Sequence, residues 1–424
     1  MKRVICIIIF ASFFDFIVAQ KHDNYWVQGI NTYPWAQQIG YYGGYALDFS
    51  ASSINIIPDT SAIYMGRGNT SMSDANGNLL FYTNGITVAN AQHDTMVNGK
   101  YLHGGNFANA FPDVGDPFAH EIIALVKPWS NKEYYILQPY HISASNSPVI
   151  KFLYSKIDMN LDNGLGAVVE KNIPIIDSTI LDTLANYSVT AVKHGNGRDW
   201  WVVIPNNHAT DVYLVLVTPN GVQPPIKSKI SNDAYKFTAY NVFSPNGEVY
   251  VQYLPDNKLR IIDFDRCSGA FSNERVIYTG CATCGTVGLT ISPNSRFLYN
   301  IGLMKIYQYD LQASNIQASA TLVASNDGFL DTTQFGQNHP VPFYTPQLAP
   351  DGKIYLAPGA TLPYMHIIHN PNAQGVACNV EQHVLLPHLN DQSMTNFPTY
   401  RLGAKVGSAC DTLSVSNQDA VSNK

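Results

Sequence analysis

The sequence predicts an all-β protein, a closed β-propeller of seven four-stranded blades, and three observations carry that expectation. A turn signature set between short apolar runs recurs along the chain. The recurrence crosses the midpoint, and strand-like material remains at both ends to complete a further blade.

The signature is clearest in Gln347-Leu348-Ala349-Pro350-Asp351-Gly352-Lys353-Ile354-Tyr355-Leu356-Ala357, where a Pro-Asp-Gly turn joins two apolar runs as a tight β-hairpin. It returns around Ser244-Pro245-Asn246-Gly247 and Ser292-Pro293-Asn294-Ser295, and more loosely around Asp74-Ala75-Asn76-Gly77 and His194-Gly195-Asn196-Gly197. With Asn131 included, the turns fall roughly 48 to 65 residues apart, near the roughly 40 to 50 of a four-stranded blade plus loops. Third and fourth strands follow in register, as in Lys258 to Phe264 then Glu274 to Tyr278, and Lys305 to Leu311 then Ala320 to Val323. A pair of β-sandwiches would also alternate in this way, but it predicts no single repeat across the midpoint. Ring closure removes the free sheet edges that invite aggregation. At the turns, Gly77, Gly247 and Gly352 are expected to take positive φ, where other residues are strained.

Residues 1–19 read as an export signal: Lys2 and Arg3 give a positive start, Val4 to Val18 an apolar stretch, and Ala19 a small residue for cleavage before Gln20. A membrane anchor is the alternative, but Asp15 interrupts a stretch already short of the roughly 20 residues a span needs. The propeller is assigned to 20–410. Residues 411–424, rich in Ser, Asn and Asp without periodicity, read as a flexible tail. The expected location is secreted, periplasmic or cell-surface, with no transmembrane segment in the mature chain.

Charged residues make up 13% of the chain and the formal net charge is −6, with no basic run, so nucleic acid is excluded as an expected partner. Removing the signal leaves Cys267, Cys281, Cys284, Cys378 and Cys410. The C-x-x-C spacing of Cys281 and Cys284 suits a redox centre, half a zinc site or a loop disulfide. No second C-x-x-C and no βαβ pattern supports the first two, so the loop disulfide is expected, with Cys378 and Cys410 as further disulfide candidates.

Most of the mature chain resembles the exported Bacteroidota propeller proteins that often carry a type IX secretion sorting domain. The likeness lies in Tyr42 to Phe49, Ser73 to Ile86, Leu161-Asp162-Asn163-Gly164-Leu165-Gly166, Thr190 to His194, Ser292 to Tyr299, and Asn396-Phe397-Pro398-Thr399-Tyr400-Arg401-Leu402-Gly403. It implies a seven-bladed propeller displayed at or beyond the cell envelope, without a settled activity. Many such proteins continue into the sorting domain, whereas this sequence ends shortly after Cys410.

Few residues carry chemistry. His120-Glu121 begins like a zincin motif, but Ala124 stands where the second His belongs, and a strand entry is expected instead. His194, Arg198 and Asp199 share one turn, which suits an acid/base or ligand site, or simply a polar hairpin. Trp200 and Trp201 are adjacent in a strand and so face opposite ways, one toward the inter-blade core and the other toward a sugar or a second packing surface. Asp74 to Asn78 lacks the later Glu of a calcium loop, and no nucleophile elbow, phosphate loop or dinucleotide fingerprint is present. No catalytic residue, metal ligand or cofactor is expected. The function expected is a non-catalytic scaffold that binds an envelope protein or a glycan, through His194, Arg198, Asp199, Trp200 and Trp201. The alternative is a propeller-type hydrolase or lyase acting on a polysaccharide, its acids and bases converging from different blades on the central channel.

Overall fold

The computed structural model describes residues 20–30, 43–51, 53–59, 61, 63–103, 114–116, 118–141, 149, 151–177, 184, 189–235, 239–279, 285–332, 338–392 and 394–411. These form a seven-bladed β-propeller. Blade 1 contains the strands Tyr25–Ile30, Gly43–Asp48 and Asn55–Asp59, and blade 2 contains Thr70–Ser73, Leu79–Thr83 and Val88–Asn90. Blade 3 runs through Ile123–Val126, Glu133–Tyr140, Lys151–Asp158 and Ala167–Ile176. Blade 4 has Thr190–Lys193, Trp200–Pro205 and Asp211–Thr218, with both Gly221–Val222 and Ile226–Lys229 paired to the third strand. Blade 5 comprises Ala239–Phe243, Val249–Leu254, Lys258–Asp265 and Ala270–Tyr278; blade 6 comprises Thr286–Ile291, Phe297–Gly302, Lys305–Asp310 and Thr321–Ser325. Blade 7 is Phe343–Leu348, Ile354–Pro358, Thr361–Ile368 and Val380–Asp391. Every ladder within these sheets is antiparallel, as short hairpin connections require.

The repeated turn has a repeated hydrogen-bond pattern. In blade 5 the Gly247 amide donates to the Ser244 carbonyl at 2.7 Å, and Ser244 Oγ accepts the Val249 amide at 2.9 Å. In blade 6 the Ser295 amide donates to the Ser292 carbonyl, while Ser292 Oγ accepts the Phe297 amide at 2.8 Å. Gly77, Gly247 and Gly352 sit at φ +98°, +72° and +80°, as their turn positions require. The blade 6 turn holds Ser295 at φ +60° where the others have glycine. Its side chain compensates: Ser295 Oγ accepts the Asn246 amide of the neighbouring blade at 3.0 Å.

Blades adhere through aromatic and β-branched side chains projecting from alternate faces of each sheet. Trp201, Val203, Phe243, Tyr250, Ile262 and Phe264 fill one junction between blades 4 and 5. Such burial contributes about 1.5–3 kcal/mol for each large apolar side chain.

The ring closes with both chain ends. Blade 1 draws its three strands from the N-terminal part, and the stretch 394–401 runs beside Tyr25–Ile30 at the channel without forming a regular strand. Thr395 Oγ1 accepts a bond from Gln28, and Phe397 lies 5.6 Å from the Trp26 ring. The Asn396 side-chain amide serves the carbonyls of His120 (3.2 Å), Ile122 (3.0 Å) and Val189 (3.3 Å), where strands of blades 3 and 4 begin. Gln347 of blade 7 takes the Phe397 amide and returns a bond to its carbonyl. Past the channel, Lys405 donates its amide to the Gly195 carbonyl at 2.7 Å, and Cys410 is disulfide-bonded to Cys267 in the last turn of blade 5.

That bond corrects the cysteine assignment. Cys410 pairs with Cys267, which was not among the disulfide candidates, and Cys378 is a buried free thiol. Pairings across 143 residues follow from how blades meet, not from local spacing. Cys281 and Cys284 lie outside the described residues, as do residues 1–19, where an export signal is expected, and the residues beyond Asp411, where a tail is expected.

Candidate functional site

The closing stretch narrows the channel without filling it. A cavity of about 270 Å³ remains at the end carrying the Pro-Asn-Gly and Pro-Asp-Gly turns, walled by blade 5 (Asn241 to Phe243), blade 6 (Leu289 to Ile291), blade 7 (Pro346 to Leu348) and Asn396 to Arg401. Asp23, His120 and Thr190 also line it, with the turn residues Pro245, Pro293, Pro350 and Gly352. Its size is just below the range of roughly 300–1,000 Å³ usual for small-molecule sites.

Four side-chain atoms of residues that line the cavity are covered by protein and have no hydrogen-bond partner among the described residues: His120 Nε2, Asn241 Oδ1, Asn241 Nδ2 and Asp23 Oδ1. Leaving a buried polar atom unpaired costs on the order of 1–3 kcal/mol, a cost that a bound polar ligand can offset. His120 is a non-glycine residue at φ +59°, a strained conformation of the kind that collects at functional sites. Burial lowers its pKa to about 4, against a hydrogen bond to the Met394 backbone that works the other way. The imidazole is therefore neutral at physiological pH, one nitrogen occupied by Met394 and Nε2 keeping its lone pair.

Opposite in charge to any acidic ligand stands Arg401. Its Nη1 donates to Asp23 Oδ2 at 2.6 Å and its Nη2 to Asn24 Oδ1 at 2.7 Å. Burial raises the Asp23 pKa, and Arg401 opposes that rise. The guanidinium is thus held at the cavity rim by a partly compensated carboxylate.

The residues singled out from sequence lie elsewhere. His194 bonds the Cys267 carbonyl through Nε2 at 2.9 Å and accepts the Asn196 amide at Nδ1. Arg198 grips Asp199 with Nε and Nη2, at 2.6 and 2.9 Å, and its guanidinium lies 4.3 Å from the exposed Trp129 ring. Asp199 also accepts from Asn196 and is buried. The two tryptophans do face opposite neighbours: Trp200 Nε1 donates to Val126 of blade 3, Trp201 Nε1 to Arg266 of blade 5. Both are buried, and Trp200 packs edge-on to Tyr400, so neither offers a face to a sugar. None of these five residues lines the cavity.

Sequence reading passed over His120, Asn241 and Arg401. His120 was read only as a strand entry, and Asn241 has no motif. Arg401 stood in the aperiodic Asn396 to Gly403 stretch, whose mix of aromatic, proline and arginine residues was the available signal.

No family model matches the sequence, and no relative with a curated description does. Solved structures match in fold. A putative 6-phosphogluconolactonase from Bacteroides fragilis is 10% identical, with 88% of this chain and 98% of that one covered and a TM-score of 0.51. The periplasmic gluconolactonase PpgL of Pseudomonas aeruginosa is likewise 10% identical over 88% and 98% of the chains, at a TM-score of 0.45. The propeller domain of Myceliophteria thermophila Cps50 (Swd1) is 8% identical over 80% and 94%, at 0.43. At such identities the likeness establishes the fold. The description of the Bacteroides fragilis propeller as a putative lactonase stands against the non-catalytic scaffold expected from the sequence and on the side of the hydrolase alternative.

Proposed function

We propose that the protein is a propeller hydrolase acting on a cyclic ester of a monosaccharide-sized, polyhydroxylated acid at the channel cavity. The observation that carries this reading is the set of four unpartnered polar atoms on Asp23, His120 and Asn241, three residues that line the cavity. Hydroxyl groups of a sugar-derived ligand supply partners to such atoms. A cavity of about 270 Å³ suits one ring better than a polymer, which narrows the polysaccharide expected from sequence. The description of the Bacteroides fragilis propeller as a putative 6-phosphogluconolactonase points to the same class.

In this reading ligand binding uncovers His120 Nε2, which is shielded from solvent in this structure, and the imidazole removes a proton from water as the oxygen attacks the ester carbonyl. The Asn241 amide N–H groups stabilise the developing oxyanion. The ring C–O bond then breaks, and the proton held on His120 passes to the departing alkoxide. One lactone and one water thus give one hydroxy acid, whose new carboxylate finds a cation in Arg401. An extracytoplasmic location belongs to the same proposal, supported by the signal-like residues 1–19 and by a disulfide of the kind that persists in oxidising compartments.

The test is continuous assay of the purified chain on gluconolactone and 6-phosphogluconolactone, corrected for spontaneous opening, beside His120→Asn, which tolerates the left-handed backbone. Expected is turnover above background that falls at least 100-fold in the variant while circular dichroism stays unchanged. Turnover indistinguishable from background on both esters, or unaffected by the substitution, would reject it.

A further inference from the structure

A second constellation lies apart from the cavity, where blades 2 and 3 meet. His141 Nε2 is 2.6 Å from Glu121 Oε2 and 3.9 Å from Asp116 Oδ1, and the two carboxyl groups hydrogen-bond one another. His103 adds a further ring: one nitrogen each from His103 and His141 and one Asp116 oxygen lie within 4.8 Å of one another. His103 Nε2 accepts the His141 backbone amide at 2.8 Å, and the two imidazoles stack 5.5 Å apart. Relative exposures are 1% for His103, 2% for Asp116, 1% for Glu121 and 0% for His141.

The fold makes room for this cluster. A Cβ on Gly68 would stand 2.5 Å from Asp116 Cβ, and one on Gly85, at φ +85°, would stand 3.1 Å from the same atom and 2.6 Å from Ile122 Cδ1. Two glycines from blade 2 therefore give the carboxylate its place. Two carboxyl groups in contact cannot both ionise without a neighbouring cation. The hydrogen bond between Asp116 and Glu121 requires a proton on one of the two carboxyl groups, so the pair shares one. Buried charged groups of this kind are normally paired or bound to metal. Among the described residues, His141 Nδ1 and Asp116 Oδ2 have no hydrogen-bond partner.

We propose that Asp116, Glu121 and His141 form a binding site for a divalent first-row transition metal, with His103 fixing the position of His141. One imidazole and two carboxylates are a borderline-to-hard donor set, suited to Zn²⁺ or Mn²⁺. Tetrahedral bonds of about 2.1 Å place ligand atoms roughly 3.4 Å apart. The His141–Glu121 contact therefore opens slightly and the His141–Asp116 contact closes slightly on binding. Charge and protons balance: the cation displaces the proton shared by the carboxyl pair, and the imidazole proton moves from Nε2 to Nδ1. One proton is released for each metal bound.

The experiment is calorimetric titration of EDTA-stripped full-length protein with ZnCl₂ and with MnCl₂. It is run in two buffers of different ionisation enthalpy, alongside melting with and without metal and with CaCl₂ as a control. Expected are one site per chain, one proton released, a higher melting temperature with the transition metals and no comparable effect of Ca²⁺. Glu121→Gln, which keeps a bond to His141, is expected to lose at least 100-fold in affinity. Should a variant fail to fold, Co²⁺ added to the wild-type protein gives an independent readout, through the visible bands of nitrogen and oxygen coordination. Absence of stoichiometric binding by the wild-type chain, or affinity that survives both Glu121→Gln and Asp116→Asn, overturns the site and leaves the cluster a proton-sharing junction.

Discussion

Cys410 is bonded to Cys267 across 143 residues of sequence, with their Cα atoms 5.6 Å apart. The bond secures the segment whose upstream residues, Asn396 to Arg401, form one wall of the cavity. Closing so long a loop restricts the unfolded chain, an effect of about 2–5 kcal/mol. Cys410→Ser and Cys267→Ser should lose stability equally in denaturant unfolding, and the double variant should lose no more than either. Additive losses would show that the cysteines act independently.

The hairpin glycines separate by environment. Gly247 and Gly352 both have positive φ, which costs another residue about 1–2 kcal/mol. A Cβ at Gly247 would also stand 2.6 Å from Val192 Cγ2, 2.8 Å from Arg266 Cδ and 3.0 Å from Leu402 Cδ2, whereas at Gly352 it meets only Pro293 Cγ at 3.9 Å. Gly352→Ala should therefore cost about 1 kcal/mol and Gly247→Ala about 2–4 kcal/mol, overpacking adding to strain. Equal losses by urea denaturation would contradict this ordering.

In the proposed function Asn241 trades stability for recognition. Its side-chain amide has no partner among the described residues, so Asn241→Leu should leave stability unchanged or raise it by up to about 1 kcal/mol. The same change should raise KM for the lactone at least tenfold and lower kcat. A variant both less stable and fully active would remove Asn241 from the site.

Acid should unfold the protein from below neutrality. Burial lowers the pKa values of His22, His120 and His366 to about 4. Their unfolded forms take up protons near pH 6.5, so the stability that these neutral rings permit is present above pH 6.5 and lost as pH falls toward about 4. Asp116 acts in the opposite sense: its raised pKa contributes stability at low pH that is lost as pH rises. Burial also lowers His103, to about 3, and His141, and it raises Asp23 as it does Asp116; with five histidines against two carboxyls, a net loss of a few kcal/mol is expected between pH 6.5 and 4. Denaturant unfolding at half-unit pH steps measures it, and a flat profile would refute the balance.

His120 should also set the acid limb of turnover, because only its neutral form accepts a proton from water. Activity is expected to hold down to about pH 5 and to fall as pH passes through about 4. Rates followed in the pH range where the fold persists would show it. An acid limb unchanged in a partly active His120→Asn variant would assign the titration to another group.

The propeller was legible because its information is local. Ser244 and Ser292 cap their own turns, and Gly77, Gly247 and Gly352 meet a backbone requirement that arises within four residues. Alternating apolar residues then fix which face of each strand is buried. Even the supply of material from both chain ends could be read by counting repeats. The sites could not, because their members come from different blades. His120 meets Met394, Arg401 meets Asp23, and Cys267 meets Cys410 only once the ring has closed, since no periodicity in sequence encodes which loops face each other across a channel. His194 to Asp199 looked like chemistry for the converse reason: neighbours in sequence were polar together, and the fold used that polarity to satisfy a turn. Turn type and strand pattern were therefore determined by the sequence alone. The cavity, its unpartnered atoms and the buried cluster of Asp116, Glu121 and His141 were decided by tertiary structure, because contacts between distant residues depend on the packing of whole blades.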